Sequence, residues 1–306
     1  MGVIALLVGA VLAAFGGDRF VRGCVGISEA LRVPPGIIGA TVAAFATSSP
    51  ELVVAVLAAA DGESALALGN AAGSNVVNLG LVLGVTLVAV PVAVRRGDLR
   101  RELPALLFLT GLVGLLAADG TLSRIDATVV LVSFAAWATW VAYDARRARD
   151  LIEEVVGEHD PRRALFDVVL GAVLLVGAGR LLMSGAQWVG DTLGWDEFVT
   201  GAVLVAVATS MPELATTLIS LRRGHVEVGL GALLGSNVFN LGFVAGVAGV
   251  ISPAVVTRGE LSVALGFGLL VAVLVVPGVR GVLGRSRGAL LLASYAAYTA
   301  GLFLVT

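Results

Sequence analysis

The sequence predicts an all-α integral membrane protein with ten transmembrane helices, arranged as two inverted-topology repeats of five helices each. Three observations support this fold class. The 306-residue chain is 58% hydrophobic and only 14% charged, with a mean hydropathy of +0.99, whereas soluble domains carry roughly a quarter charged residues. Its apolar residues form ten runs separated by charged or Pro- and Gly-containing loops. Two polar motifs also occur twice, at one constant offset.

The hydrophobic runs define the predicted spans, because a helix needs about 20 residues to cross the hydrocarbon core. The first run could be taken for a signal peptide, but no Lys or Arg precedes Arg19. A signal peptide begins with a positively charged segment, so we predict that this run is a span. The ten spans are predicted at residues 2–17, 36–60, 64–93, 103–118, 126–143, 164–182, 198–220, 226–252, 260–277 and 288–305.

Arginine residues predict the orientation of these spans. The loops that follow odd-numbered spans all lie on one side of the membrane. That side holds 17 of the 20 basic residues, and the other side holds three. Such an excess marks the cytoplasmic face, so both termini are expected outside. The loop at residues 144–163 mixes both signs of charge. We predict that it is a cytoplasmic linker between a first repeat at residues 1–143 and a second at residues 164–306.

Composition also argues against several classes of function. The net charge of −2, without a basic face, does not suit nucleic acid, and the lipid bilayer is the expected surrounding, with no obligate protein partner evident. The single Cys24 excludes an internal disulfide, and no Cys/His cluster suggests zinc or haem. We therefore expect no cofactor. We also expect no enzymatic activity, because a plausible nucleophile–base set is missing.

The internal repeat is the strongest feature of the sequence. The segment ATSSPEL at residues 46–52 recurs as ATSMPEL at residues 208–214, and GSNVVNLG at residues 73–80 recurs as GSNVFNLG at residues 235–242. Both pairs are offset by 162 residues. Each half holds five spans, an odd number, so the second half enters the membrane in the opposite orientation, as in many secondary transporters. Because the repeated residues are the polar ones, the repeat favours a functional role.

The first motif places a proline inside a predicted span of each half. Pro50 and Pro212 lack a backbone N–H and disfavour a helical residue before them, so they are predicted to break spans 2 and 7. Backbone carbonyls freed within the membrane must face protein, water or an ion. Hydroxyl groups beside the breaks add further hard oxygen ligands, which suit sodium and calcium. These hydroxyls belong to Thr47, Ser48, Thr209 and Ser210.

Two acidic residues, Glu51 and Glu213, lie deep inside the predicted spans. An ionised carboxylate at the centre of a membrane costs at least about 2.5–3.5 kcal/mol. Two that face each other also repel, so a proton or a cation must offset them. A divalent cation between them gives local neutrality.

The second motif adds neutral oxygen atoms. In a helix, Ser74 and Asn78 are four residues apart and share a face, and Ser236 and Asn240 repeat this arrangement. We therefore include all four in the candidate cation site.

The motifs A-T-S-x-P-E and G-S-N-x-x-N, each present twice, resemble the two alpha repeats of the cation/calcium exchanger superfamily. The likeness is to its prokaryotic sodium/calcium exchanger branch, since the Gly-Asn-Ala-x-Glu type of motif usual in the proton/calcium branch is absent. It extends over essentially the whole chain. The resemblance implies a secondary active antiporter in the plasma membrane of a prokaryote, which exchanges sodium for calcium by alternating access.

The resemblance also implies a role for each candidate residue. Glu51 and Glu213 would be central ligands shared by calcium and sodium, and the main-chain carbonyls of Thr47 and Thr209 would complete the calcium site. The sodium sites and the centre of the site would be formed by Ser48, Ser74, Ser210, Ser236, the carbonyls of Ala44 and Ala206, Asn78 and Asn240.

One position departs from the family. Several relatives carry Asp where this chain has Asn240, so the site has two carboxylates instead of three. One calcium ion balances two charges, whereas the three sodium ions usual in the family leave an excess positive charge.

Two other functions remain compatible with the residues. Because glutamates also carry protons, the antiporter could couple a divalent cation to protons or to potassium. A cation channel is the second alternative, since broken helices and acidic residues also line pores. Channels usually gain their pore from subunits around an axis, whereas here one chain supplies both halves of the site.

Overall fold

A computed structural model describes residues 2–31, 33–94, 96–149, 160–195, 197–277 and 281–305. Within these residues the chain is mostly helical, with four short strands. The helices are α1 (Gly2–Leu31), α2 (Pro35–Thr47), α3 (Ser49–Asp61), α4 (Ser64–Ala89), α5 (Glu102–Leu116), α6 (Arg124–Arg149), α7 (Pro161–Leu193), α8 (Glu197–Val199 continuing as Thr200–Thr209), α9 (Met211–Arg222), α10 (Val226–Ile251), α11 (Arg258–Leu274) and α12 (Arg285–Val305). The strands are β1 (Val92–Ala93), β2 (Thr121–Leu122), β3 (Ala254–Val255) and β4 (Val282–Leu283).

Each predicted hydrophobic run overlaps one helix or one bent pair of helices. The run at residues 64–93 is longer than its helix, because α4 ends at Ala89 and residues 92–93 form β1, which pairs with β4. By length and composition, four of the described helices can cross a membrane, namely α4, α6, α10 and α12. The number rises to six if the bent pairs α2/α3 and α8/α9 each count as one span.

Helix α1 is longer than the run that predicts it. The span was expected to end at residue 17, but the helix continues to Leu31. Charged side chains beyond the expected end are paired, which allows the helix to continue. Arg22 lies 2.6 Å from Asp18 one turn earlier, and Arg19 lies 3.0 Å from Asp167 of α7. Asp18 also pairs with Arg223, at the end of α9.

The predicted linker at residues 144–163 is helical at both ends. Helix α6 continues to Arg149, and α7 begins at Pro161. Residues 150–159 of the predicted linker lie outside the described residues.

The two halves of the chain are joined by strands and by side chains. Strand β1 pairs antiparallel with β4, and β2 pairs antiparallel with β3, so each strand of one half has its partner in the other. Across the same interface, Asn75 donates to the carbonyl of Asn237 at 3.0 Å, and Asn237 donates to the carbonyl of Asn75 at 3.2 Å. The contacts are therefore reciprocal between residues at the repeat offset.

Close helix crossings bring the repeated motifs of the two halves together. A Cβ atom added at Gly73 in α4 would lie 2.4 Å from the carbonyl oxygen of Ala202 in α8. At the equivalent Gly235 in α10, the added atom would lie 2.5 Å from the carbonyl oxygen of Ala40 in α2. Neither position has room for a side chain. Each second motif therefore lies directly against the broken helix of the other half.

Candidate cation site

The two broken helices form the frame of the site. Helices α2 and α3 meet at 45° around Ser48, and α8 and α9 meet at 45° around Ser210. The backbone leaves helical geometry at both serines. Pro50 and Pro212 follow in the first turn of the next helix, where the missing N–H is tolerated. The predicted helix breaks are confirmed.

Glu213 is held by hydroxyl groups from both halves. The residue is 1% exposed and lies in the first turn of α9, where the positive end of the helix dipole favours negative charge. Its Oε1 atom accepts hydrogen bonds from Ser48 Oγ at 3.0 Å and from Ser236 Oγ at 3.3 Å. Ser236 Oγ is in turn 3.3 Å from Thr47 Oγ1. Thus Thr47 and Ser48 of the first half enclose a carboxylate of the second.

Glu51 is buried without such support. It is 0% exposed and lies beside the hydroxyls of Thr209 and Ser210, close enough to Glu213 for the two carboxylates to repel. Neither of its oxygen atoms makes a hydrogen bond of ordinary geometry with the described residues, and the same holds for Ser210 Oγ and for Oε2 of Glu213. Buried carboxylate oxygens without partners are costly. A cation between the two glutamates would offset both the repulsion and the missing contacts.

Two asparagines bring neutral oxygen atoms to the same core. Asn78 donates from Nδ2 to Oδ1 of Asn237 at 2.9 Å, which leaves its own Oδ1 without a partner among the described residues. The Oδ1 and Nδ2 atoms of Asn240 also have no hydrogen-bond partner among the described residues. Within the described part of the chain, no group of three or more His, Cys, Asp or Glu residues could hold a metal ion. Glu51 and Glu213 are the two acidic residues at the helix breaks of this core.

The remaining predicted residues are buried but engaged within their own helices. The carbonyls of Ala44 and Ala206 each accept the N–H of the serine four residues later, at 3.0 Å. Thr209 Oγ1 donates to the carbonyl of Val205 at 3.0 Å. Ser74 Oγ lies 3.5 Å from Oδ1 of Asn70. Among the predicted residues, those whose side chains hydrogen-bond to the other half are Thr47, Ser48, Asn78, Glu213 and Ser236.

Asn70 is a further residue of this core, and it lies outside both repeated motifs. It is 0% exposed, and its Nδ2 donates to the main-chain carbonyl of Glu51 at 3.3 Å. A search by repeat could not find it, because the residue 162 positions later is Ala232. Its position four residues before Ser74 was the available signal, since residues at that spacing share a helix face.

Comparison with known proteins identifies the family. The sequence profile described as sodium/calcium exchanger protein matches residues 1–143 and 164–304. This chain belongs to the sodium/calcium exchanger family. The exchanger is 31% identical to the inner membrane protein YrbG of Escherichia coli over 265 residues, which cover 84% of this chain and 80% of YrbG. It is 25% identical to the sodium/calcium exchanger MaX1 of Methanosarcina acetivorans over 347 residues, which cover 99% of this chain and 98% of MaX1.

The fold of the exchanger agrees with this assignment. A solved structure of the sodium–calcium exchanger NCX_Mj, soaked with Na⁺ and Ca²⁺, matches it with a TM-score of 0.82 and 27% identity, covering 98% of each chain. The resemblance to prokaryotic sodium/calcium exchangers is therefore confirmed. The exchanger is a helical membrane protein of a transporter family, and its class is cation/calcium antiport.

Proposed function

We propose that this exchanger moves sodium and calcium in opposite directions by alternating access, through one site built by both halves of the chain. The observation that carries the proposal is the pair of buried glutamates at the two helix breaks. Glu213 is bonded by Ser48 of the other half, and Glu51 lies beside Ser210 of the other half. Sequence relatives named sodium/calcium exchangers support the choice of ions.

Competition for the same carboxylates would couple the two fluxes. Calcium supplies two positive charges and takes oxygen ligands from carboxylates, carbonyls and hydroxyls, so one ion matches Glu51 and Glu213. Sodium ions offset the same charges singly. An empty site would leave two repelling carboxylates buried, which disfavours movement without a cation. The remaining ligands are proposed to be the Thr47 and Thr209 carbonyls for calcium, and Ser48, Ser74, Ser210, Ser236, Asn78, Asn240 and the Ala44 and Ala206 carbonyls around the sodium ions.

The proposed topology is ten membrane-crossing segments in two inverted five-helix repeats, with residues 144–163 as a cytoplasmic linker and both termini outside the plasma membrane. The reciprocal strand pairing and the distribution of Arg residues support it. It can be tested by single cysteines at the exposed positions Asp61 and Asp160, with the buried Cys24 replaced by Ala. A membrane-impermeant maleimide added to intact cells should label position 61 and spare position 160. Labelling of position 160 but not of position 61 would show that the chain has the opposite orientation in the membrane.

The ion coupling can be tested by calcium-45 uptake into proteoliposomes that are loaded with sodium and diluted into sodium-free buffer. We expect uptake that saturates with calcium and is lost in Glu51→Gln and in Glu213→Gln. Glu63→Gln removes a charge from an exposed turn and should retain full uptake.

Two further gradients discriminate the alternatives. Uptake driven equally by a potassium or a proton gradient would keep the site but overturn the choice of sodium. Flux that does not saturate and that shows unitary conductance in planar bilayers would favour a channel.

A further inference from the structure

A row of buried hydroxyl groups continues from Glu213 along α9. Thr216, Thr217 and Ser220 follow the glutamate by three, four and seven residues, a spacing that keeps them on one helix face. All three are 0% exposed, and none of their hydroxyl oxygens has a hydrogen-bond partner among the described residues. A buried threonine in a helix can bond within its own helix instead. Thr86, for example, donates to the carbonyl of Val82 one turn earlier at 2.7 Å.

The row faces the interior of the protein. On the other side of α9, Ala215 and Ile219 contact α1 at Gly17. On the hydroxyl side, a Cβ atom added at Gly229 of α10 would lie 2.9 Å from Ser220 Cβ. Helix α10 also carries Ser236, which bonds Glu213. Ser220 therefore packs against α10, and the row runs along α9 from the candidate cation site to this contact.

The far end of the row is linked to the lining of a cavity by a main-chain hydrogen bond. Glu213 and Ser220 are separated by two helical turns, about 10 Å at about 1.5 Å per residue. The chain then turns, and His225 N donates to the carbonyl of Ser220 at 2.9 Å. A cavity of about 430 Å³ opens at this turn, with Gly224, His225 and Glu227 in its lining. Unpartnered oxygen atoms thus extend along α9 from the buried glutamate to Ser220, whose main-chain carbonyl is bonded to the lining of this cavity. None of the three hydroxyl residues lines the cavity itself.

The first repeat lacks this row. At an offset of 162 residues, Thr216, Thr217 and Ser220 correspond to Val54, Ala55 and Ala58, which are buried apolar residues of α3. Because the equivalent helix packs with apolar side chains, the hydroxyls are not required for the fold. Burying a hydroxyl without a partner also carries a desolvation cost, which indicates that these groups meet a polar species during function.

We propose that Thr216, Thr217 and Ser220 line a passage through which a partly dehydrated sodium ion moves between Glu213 and the cavity at the α9–α10 turn. The inference rests on the sodium coupling proposed above. Neutral oxygen atoms can replace part of the hydration shell of an ion and still let it leave. Calcium requires more oxygen ligands and more negative charge, so the passage should serve sodium in preference to calcium.

The test is a variant with Thr216→Val, Thr217→Val and Ser220→Ala, reconstituted beside the wild type. Two fluxes are compared: calcium-45 uptake driven by a sodium gradient, and calcium-for-calcium exchange in the absence of sodium. We expect sodium-driven uptake to fall about fivefold or more, the equivalent of at least one lost neutral hydrogen bond, while calcium self-exchange stays at the wild-type rate. The melting temperature should be unchanged or higher, because unpartnered polar groups have been removed.

A matched control is Thr86→Val, which removes a buried hydroxyl that is bonded within its helix. It should lower the melting temperature without a selective loss of sodium-driven uptake. Ser220→Ala alone provides a smaller change if the triple variant does not fold. Sodium-driven uptake at the wild-type rate in the triple variant, or in Ser220→Ala where the triple variant does not fold, would overturn the passage. An equal loss of both fluxes in that variant would overturn it as well. A wild type without sodium-driven uptake would instead refute the proposed function.

Discussion

Replacement of Glu213 by Gln tests whether the charge of the site selects calcium over sodium. The substitution keeps the size of the side chain and one carbonyl oxygen, so Ser48 and Ser236 retain an acceptor where Oε1 lies. It removes one of the two negative charges. The repulsion from Glu51 disappears at the same time, so we expect the protein to fold and to bind cations more weakly.

The expected loss of affinity in Glu213→Gln depends on the charge of the bound ion. Truncating one partner of a buried, hydrogen-bonded charge pair costs about 2–5 kcal/mol, which weakens calcium binding about 30- to 5,000-fold. Coulomb energy is proportional to the charge of the ion, so each sodium ion should lose half as much, about 1–2.5 kcal/mol or about 5- to 70-fold. The variant should therefore shift the ratio of affinities towards sodium.

The assay is isothermal titration of purified protein with calcium at several fixed sodium concentrations, and with sodium alone. Glu63→Gln is the control for a lost surface charge and should bind both ions as the wild type does. If Glu213→Gln weakened calcium and sodium by the same factor, or weakened neither, the two carboxylates would not be the charged centre of the site.

Two predictions concern stability in detergent, measured by thermal unfolding. Gly73→Ala should destabilise the fold by about 1–3 kcal/mol through overpacking, because its Cβ atom would lie 2.4 Å from the carbonyl oxygen of Ala202. Gly111→Ala, whose added Cβ meets no described atom within 4 Å beyond the adjoining backbone of its own helix, should be neutral or stabilising. Equal effects at both glycines would contradict the close crossing. Thr257→Ala should cost about 1 kcal/mol because it removes the capping box with Glu260 at the start of α11. An unchanged melting temperature would show that this cap contributes nothing.

The repeat is what made the core of this protein predictable. Proline inside an apolar run predicts a break by elementary stereochemistry, and the structure bends at Ser48 and at Ser210. Because the motif occurs twice, Glu51 and Glu213 could be expected to meet, and both are buried in one core. Helix boundaries near charged residues were less predictable. Where α1 continues past residue 17, its charged side chains pair with Asp167 of α7 and with Arg223 just after α9, which are distant in sequence.

Asymmetry between the halves could not be read from the repeat. Glu213 accepts two hydrogen bonds from serines, whereas the equivalent Glu51 accepts none of ordinary geometry from the residues that the structure describes. Asn70 supports the backbone of Glu51 and has no polar counterpart in the second half. Small differences in helix packing decide such contacts, and no sequence pattern records them.

Equilibrium dialysis with calcium-45 shows whether the two halves of the chain share one cation site. Purified wild-type protein, Glu51→Gln and Glu213→Gln would be dialysed against calcium with and without sodium. We expect one calcium ion bound per wild-type chain, displaced by sodium, and a large loss of affinity in both variants. More than one ion per chain, or a loss confined to one variant, would contradict a single site built from both glutamates.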